Sequence, residues 1–317
     1  MINRVNGFIM KNMLCGIFAV GLILAWGGCD HQGNEKEKPV YQLFEKEAGR
    51  HYASYKATGV LPDFSMLTET RPTRDDAYVF QEYYAKAFLA DGDRLIGYKL
   101  GFTGKAAPPG AAAPLLGRIF ESQLADDSRT FFLSELGNPI VEIELAFRFK
   151  KDLELGADME TIIAAIESVA GAVEVPNPNY QKPEHFNGLN FIAHSVVSKC
   201  LLLGEWSSFS ETLALNELEV ALTKPDGKQI FFKSQNVLPH DNRHHYAAIQ
   251  YAVNELGSRN QGIRAGDILI TGSMGYALSG ARDDTGKAVT GTYQMIQGDY
   301  AVNFGSKLGG LNFSVRD

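Results

Sequence analysis

The chain has 317 residues, 45% of them hydrophobic and 21% charged, which is a globular composition with apolar content for one large core or two modest ones. Its net charge is −7, and no basic run exceeds pairs such as Lys150-Lys151, which argues against nucleic acid as a partner.

The first element reads as a targeting segment, residues 1–29. Lys11 precedes an apolar stretch from Met13 to Trp26 that is short for a membrane-spanning helix and has the order of a secretory signal. Gly27-Gly28-Cys29 resembles a bacterial lipoprotein processing site, with Trp26 where such sites usually carry an aliphatic residue. In that reading Cys29 is lipidated, and the protein is exported and reaches a membrane only through that anchor. A plain cleaved signal and an uncleaved anchor are the alternatives. Residues 30–39 are polar and suit a tether. Cys15 and Cys29 belong to the signal, so the mature domain has no intramolecular disulfide. Cys200, in the run Cys200-Leu201-Leu202-Leu203, reads as a small buried hydrophobe.

Residues 40–93 read as a helical region. Tyr41 to Thr58 carries spaced apolar residues without proline. Thr73 and the acids Asp75 and Asp76 precede a second helix from Ala77 to Leu89, which Gly92 stops. From residue 94 to 317 the texture changes to a second domain of short β-rich runs between Gly and Pro. These are Leu95–Phe102, Gly117–Phe120, Arg129–Leu133 and Ile140–Phe149. Asp158 to Ala170 predicts a helix, with Ile162, Ile163, Ile166 and Val169 on one stripe. Strands are expected at Ser195–Leu203, Glu217–Thr223, Lys228–Phe232, Asp267–Thr271 and Ala301–Phe304, and a helix at Tyr246–Leu256. Pro176 to Leu189 has little periodicity and reads as a functional lid or a disordered segment.

The chemistry concentrates in Ile140 to Phe147, an apolar strand broken by Glu142 and Glu144. Side chains alternate along a strand, so these two acids share a face. Adjacent carboxylates repel each other and lose hydration, and a hard divalent cation with a preference for oxygen relieves both. Glu174, in the apolar run Ala170 to Val175, supplies a third acid. The alternative is a set of acids paired with Arg or Lys.

Four segments in this order resemble the 2-oxopent-4-enoate hydratase branch of the fumarylacetoacetate hydrolase superfamily. They are Asp75 to Gln81, the glycine-bracketed lysine strand Ile96 to Thr103, Glu142-Ile143-Glu144 with Glu174, and Ala265 to Gly272. The resemblance implies an α+β fold, a mixed β-roll or β-barrel-like core with helices around it and an N-terminal helical segment. It implies a Mg²⁺ or Mn²⁺ ion held by Glu142, Glu144 and Glu174, and a small 2-oxo carboxylate substrate. Lys99 would act on a metal-stabilised enolate. Thr271, Gly272 and Thr103 would bind the substrate, and a homo-oligomer is expected. The chain departs from the family pattern at Val175-Pro176-Asn177, where an Asp-Ser-Arg-like run is usual, and at His194-Ser195, where an Asp-Asn-like pair is usual. His194 is therefore a candidate for proton transfer, or else a satisfied core histidine. His240, His244 and His245 suggest a surface or lid role more than a metal site, and His185 and Tyr180 could close over substrate. The leading expectation is a hydratase. A C–C hydrolase of acylpyruvate-like substrates, a 2-oxo acid decarboxylase or tautomerase, and a non-catalytic exported ligand-binding protein are the alternatives.

Overall fold

A computed structural model describes residues 39–104, 108–125, 129–136, 140–233, 244–274, 282–283 and 295–317. The targeting segment expected over residues 1–29, the tether expected after it up to residue 38, and His240 lie outside the described residues. The helices are α1 (Pro39–Thr58), α2 (Arg74–Ala90), α3 (Met159–Ala165), α4 (Gly188–Ala193) and α5 (His244–Gly257). The strands are β1 (Leu95–Gly101), β2 (Leu115–Phe120), β3 (Thr130–Phe132), β4 (Glu142–Phe149), β5 (Ile166–Pro176), β6 (Ser198–Leu203), β7 (Ser207–Ser208), β8 (Glu219–Thr223), β9 (Gln229–Lys233), β10 (Ile268–Ile270), β11 (Arg282–Asp283), β12 (Gly298–Asn303) and β13 (Gly310–Arg316). No helix among the described residues is long and apolar enough to cross a membrane.

The first sheet runs β2-β1-β10-β4-β5-β6, with β7 also on β5. Its β1–β10 pair is parallel and the pairs flanking it are antiparallel. The two edges of this sheet approach each other. Gln123, just after β2, donates from its side-chain amide to the Ser198 carbonyl at 2.6 Å, and the Ala125 amide donates to the Leu201 carbonyl at 2.9 Å. The sheet therefore curls into a half-barrel. Its concave face is packed by Ile96, Ile119, Ala146, Ala172, Leu201, Ile268 and Ile270, a cluster separate from the main core. Small and aliphatic residues suit the narrow inside of a curled sheet. The convex face carries Ile143, Leu145 and Phe147 into the main core. A second sheet, β11-β9-β8-β12-β13-β3, completes this α+β architecture, a mixed β-roll with helices packed on it.

The capping expected for α2 is present: Thr73 accepts from the Asp76 amide and the Asp76 carboxylate accepts from the Thr73 amide. α1 and α2 pack through Phe44, Phe64 and Phe80. Phe88 at the end of α2 stacks on Phe120 of β2, with centroids 4.2 Å apart and planes at 7°. That contact joins the helical layer to the half-barrel.

Two expectations need correction. The helix expected over Asp158–Ala170 stops at Ala165, and Ile166 begins the longest strand among the described residues. Ile166 and Val169 satisfy a helical stripe as well as a strand, and eight paired positions with β4 decide for the strand. The strand expected from Ser195 begins at Ser198, because residues 195–197 form a tight turn. The Pro176–Leu189 segment is tied down: the Leu61 amide donates to the Asn179 carbonyl at 2.9 Å, and α4 starts at Gly188. α4 and β13 were not anticipated, although Leu311, Phe313 and Val315 alternate as a strand requires.

If the Phe88–Phe120 stack is the main link between helices and half-barrel, Phe88→Ala lowers the unfolding free energy by roughly 3–5 kcal/mol in urea titration. The neighbouring exposed Leu89→Ala changes it by about 0.5 kcal/mol or less. Similar losses in both variants would contradict this packing.

Candidate metal and substrate site

β4 and β5 are antiparallel, with Glu142 opposite Glu174 and Glu144 opposite Ala172. This register puts all three acids on the concave face. Each carboxylate offers one oxygen such that the three oxygens lie within 4.8 Å of one another. Glu144 and Glu174 are fully buried, whereas Glu142 is half-buried and marks the accessible side. Lys99 reaches the same place from β1, where it lies beside Ile270 of β10. Its buried ammonium pairs with Glu174 Oε1 and donates to the Val196 carbonyl at 3.2 Å. The lysine–glutamate pairing weighed from sequence is thus present.

Burial together with the Glu174 charge pushes the Glu142 carboxyl up to about 7, with Lys99 pulling the other way. Burial, then Glu174 and Glu142, holds Glu144 well above the carboxylate range. Burial alone would lower the Lys99 pKa, but Glu174, Glu142 and Glu144 outweigh it and raise the value, so the ammonium stays charged. Glu144 Oε1 and Glu174 Oε2 are buried without a hydrogen-bond partner. Orphaned buried oxygens are costly. Three hard oxygen donors at this spacing, with two such oxygens, fit a divalent cation of the Mg²⁺ or Mn²⁺ kind.

The floor under Lys99 is a strained turn. Ser195, Val196 and Val197 have φ of 54°, 56° and 53°. The left-handed region costs a non-glycine residue roughly 1–2 kcal/mol, and β-branched residues are the least suited to it. The turn sits in a notch made by two glycines. A Cβ on Gly101 would fall 2.5 Å from Val196 Cγ1, and one on Gly117 would fall 2.3 Å from the Ser195 carbonyl oxygen. Gly117 lies opposite Lys99 on β2. One of the glycines bracketing Lys99 in sequence, Gly101, therefore makes room for the carbonyl platform that the lysine rests on.

Past β10 the chain turns along the carboxylates. The Thr271 amide donates to the Leu145 carbonyl at 3.3 Å, and the Gly272 amide donates to Glu144 Oε2 at 2.9 Å. Thr103 fits against Gly272 so closely that a Cβ there would lie 2.1 Å from its Oγ1. The buried Thr271 hydroxyl is 2.8 Å from His245 Nδ1. His245 is fully buried on α5, which corrects the surface or lid role expected for it. Burial, and then the His244 charge, lowers its pKa to about 3.

Glu142, Glu144, Glu174, Lys99, Thr103, Thr271 and Gly272 are thus brought together. His194 is not placed against the carboxylates. Its Nε2 is 2.9 Å from His51 Nδ1 and its Nδ1 is 3.4 Å from the Tyr180 hydroxyl, inside a cluster of aromatic rings. Tyr180 is thereby engaged with His194. His185 Nε2 lies 3.5 Å from Asp63 Oδ2. His51 is the residue sequence reasoning passed over, and His245 the one it placed at the surface. His51 shares a helical stripe with Phe44 and Ala48, which was its only signal.

No protein-family model matches the chain. It is 25% identical over 253 residues to a 2-hydroxyhexa-2,4-dienoate hydratase of Comamonas testosteroni, covering 77% of this chain and 92% of that one. It is 26% identical over 237 residues to a 4-oxalocrotonate decarboxylase of Pseudomonas putida, covering 73% and 87%. Among solved structures, a 4-oxalocrotonate decarboxylase from Pseudomonas putida G7, complexed with magnesium and adipate, superposes with a TM-score of 0.72. That likeness covers 88% of this chain and 99% of the other at 22% identity, and it is one of fold.

The buried groups make stability depend on pH in opposing directions. His245 stays neutral in the folded state down to about 3, whereas unfolded histidine takes up a proton below 6.5. Its contribution is complete above that value and declines as pH falls. Glu142 and Glu144, with raised values, act in the opposite sense. In His245→Asn the change in unfolding free energy from pH 7 to pH 5 should therefore be less destabilising than in the wild type by roughly 2 kcal/mol. Identical pH dependence of the two proteins would contradict the buried neutral imidazole.

Proposed function

We propose that this chain, a member of the fumarylacetoacetate hydrolase superfamily in the branch of the 2-keto-4-pentenoate hydratases and 4-oxalocrotonate decarboxylases, is a divalent-metal-dependent enzyme acting on a small 2-oxo acid through its enolate. Hydration of a dienol carboxylate is the reaction we favour. The observation that carries this reading is the carboxylate trio with its two orphaned oxygens beside a buried ammonium. Glu142, Glu144 and Glu174 would hold Mg²⁺ or Mn²⁺, which when bound supplies Lewis-acid stabilisation of an enolate.

The chain's own residues then have separable tasks. Lys99 brings a positive charge to the place where substrate charge develops, and its Nζ can carry a proton. The half-barrel interior keeps bulk water from the ammonium and from Glu144 and Glu174, which strengthens each charge interaction. Gly272 gives its amide to Glu144, which leaves a substrate carboxylate to the Thr103 hydroxyl and to that of Thr271, whose oxygen also meets His245 Nδ1. His194 takes no part in proton transfer here, because both ring nitrogens are engaged behind the turn. That also weighs against a C–C hydrolase, which needs a base and a positioned water at the site. Decarboxylation is the second reading, supported by the 26% identity to a decarboxylase and by its use of the same enolate. The lipoprotein-like Gly27-Gly28-Cys29 supports an exported, lipid-anchored location.

With 2-hydroxypenta-2,4-dienoate the purified protein should remove the dienol absorbance only when Mg²⁺ or Mn²⁺ is present. Glu174→Gln should lower kcat by about two orders of magnitude. Turnover that survives chelation, or that Glu174→Gln leaves unchanged, would sink the proposal. Release of carbon dioxide from 4-oxalocrotonate without hydration of the dienol would favour the second reading.

A further inference from the structure

The turn that carries Lys99 is fastened to the N-terminal helix. His51 of α1 and His194 are both buried, with Nδ1 of the first 2.9 Å from Nε2 of the second. Their rings stack 5.2 Å apart at 21°. His194 stands immediately before Ser195, and every polar group it has is committed. Its ring nitrogens face His51 and Tyr180, its amide donates to the Asn190 carbonyl at 3.1 Å, and its carbonyl accepts from the Val197 amide at 3.0 Å. At the far end of the turn the Asn177 amide donates to the Val197 carbonyl at 3.0 Å. Three consecutive left-handed residues without a glycine do not keep that conformation by local preference. They persist only where surrounding contacts over-determine them. Phe80 and Tyr84 of α2 set their rings against His194, and the His51–His194 hydrogen bond is the polar contact to it, among the described residues, from the helices outside the half-barrel.

We infer that His51 is a positioning residue for Lys99: by holding the His194 ring it fixes the Ser195–Val197 turn, and so the Val196 carbonyl that orients the ammonium. The N-terminal helix is then a working part of the site and not only a packed neighbour. This rests on Lys99 acting on substrate, as proposed above. It also gives His194 a role different from the proton transfer suggested by its sequence position. If the ring cluster served only to dock α1, the polar atoms would be dispensable and shape alone would count.

Asn and Leu at position 51 separate these cases. They match each other in shape, both lose the imidazole ring, and only Asn keeps a polar atom near the position of Nδ1. Amide hydrogen exchange over residues 194–198 should be about 10-fold faster in His51→Leu than in His51→Asn, with the amides of β4 and β10 alike in both. In turnover, His51→Leu should have a kcat about 10-fold below that of His51→Asn, with KM within about 3-fold. Equal exchange at the turn in the two variants overturns the inference whatever the turnover. So does a kcat equal in both where the wild type turns over. If the exchange separates the variants but no form, wild type included, has turnover, the link between His51 and the turn stands and the proposed function fails.

Discussion

Three carboxylates on one face of two neighbouring strands, two of them out of water, are the constraint around which this structure is arranged. Left alone, such a cluster would repel itself and lose hydration at every member. One buried ammonium answers part of that charge, and the half-barrel supplies the rest of the setting. Glu142 keeps contact with the outside, Glu144 takes a hydrogen bond from the Gly272 backbone, and Glu174 takes Lys99. Two oxygens stay without a partner, which is where the proposed cation finds its place.

Holding Lys99 against this cluster has its own cost, visible in the backbone. Besides Glu174 the lysine donates to the Val196 carbonyl, which the chain presents in a bend of three left-handed residues. Gly101 and Gly117 open the notch that receives the turn, and the histidine pair closes it from behind. On the other side, Thr271 is fixed in the same manner, by a buried histidine on a helix outside the sheet. Both histidines, His194 and His245, are buried, and burial lowers their pKa values and keeps the rings neutral. Imidazole contacts thus tie α1 to the turn under Lys99 and α5 to Thr271.

Much of this is legible in the amino-acid sequence, and the limits have physical reasons. Period-2 alternation puts Glu142 and Glu144 on one face whatever the fold. That Glu174 faces them depends on the register between β4 and β5, which an apolar run such as Ala170 to Val175 does not display. A β-branched stripe from Ile162 to Val169 satisfies helix and strand alike, so the start of β5 came out in the wrong state. The glycines around Lys99 could be seen, but their purpose could not, because it lies in a turn about a hundred residues further on. The histidines mark the clearest limit. Burial and hydrogen-bond partners come from tertiary contacts, so His245 looked like a surface residue and His51 drew no notice.

The measurement that bears most directly on this account is calorimetric titration of Mn²⁺ into the wild type and Glu144→Gln, repeated at several pH values. The account predicts one Mn²⁺ per chain and about 100-fold weaker binding in the variant. It also predicts proton release on binding and tighter affinity as pH rises through 7, because carboxyls held above their usual range must lose protons to become ligands. Absence of saturable binding, or binding that is indifferent to both Glu144→Gln and pH, would contradict it.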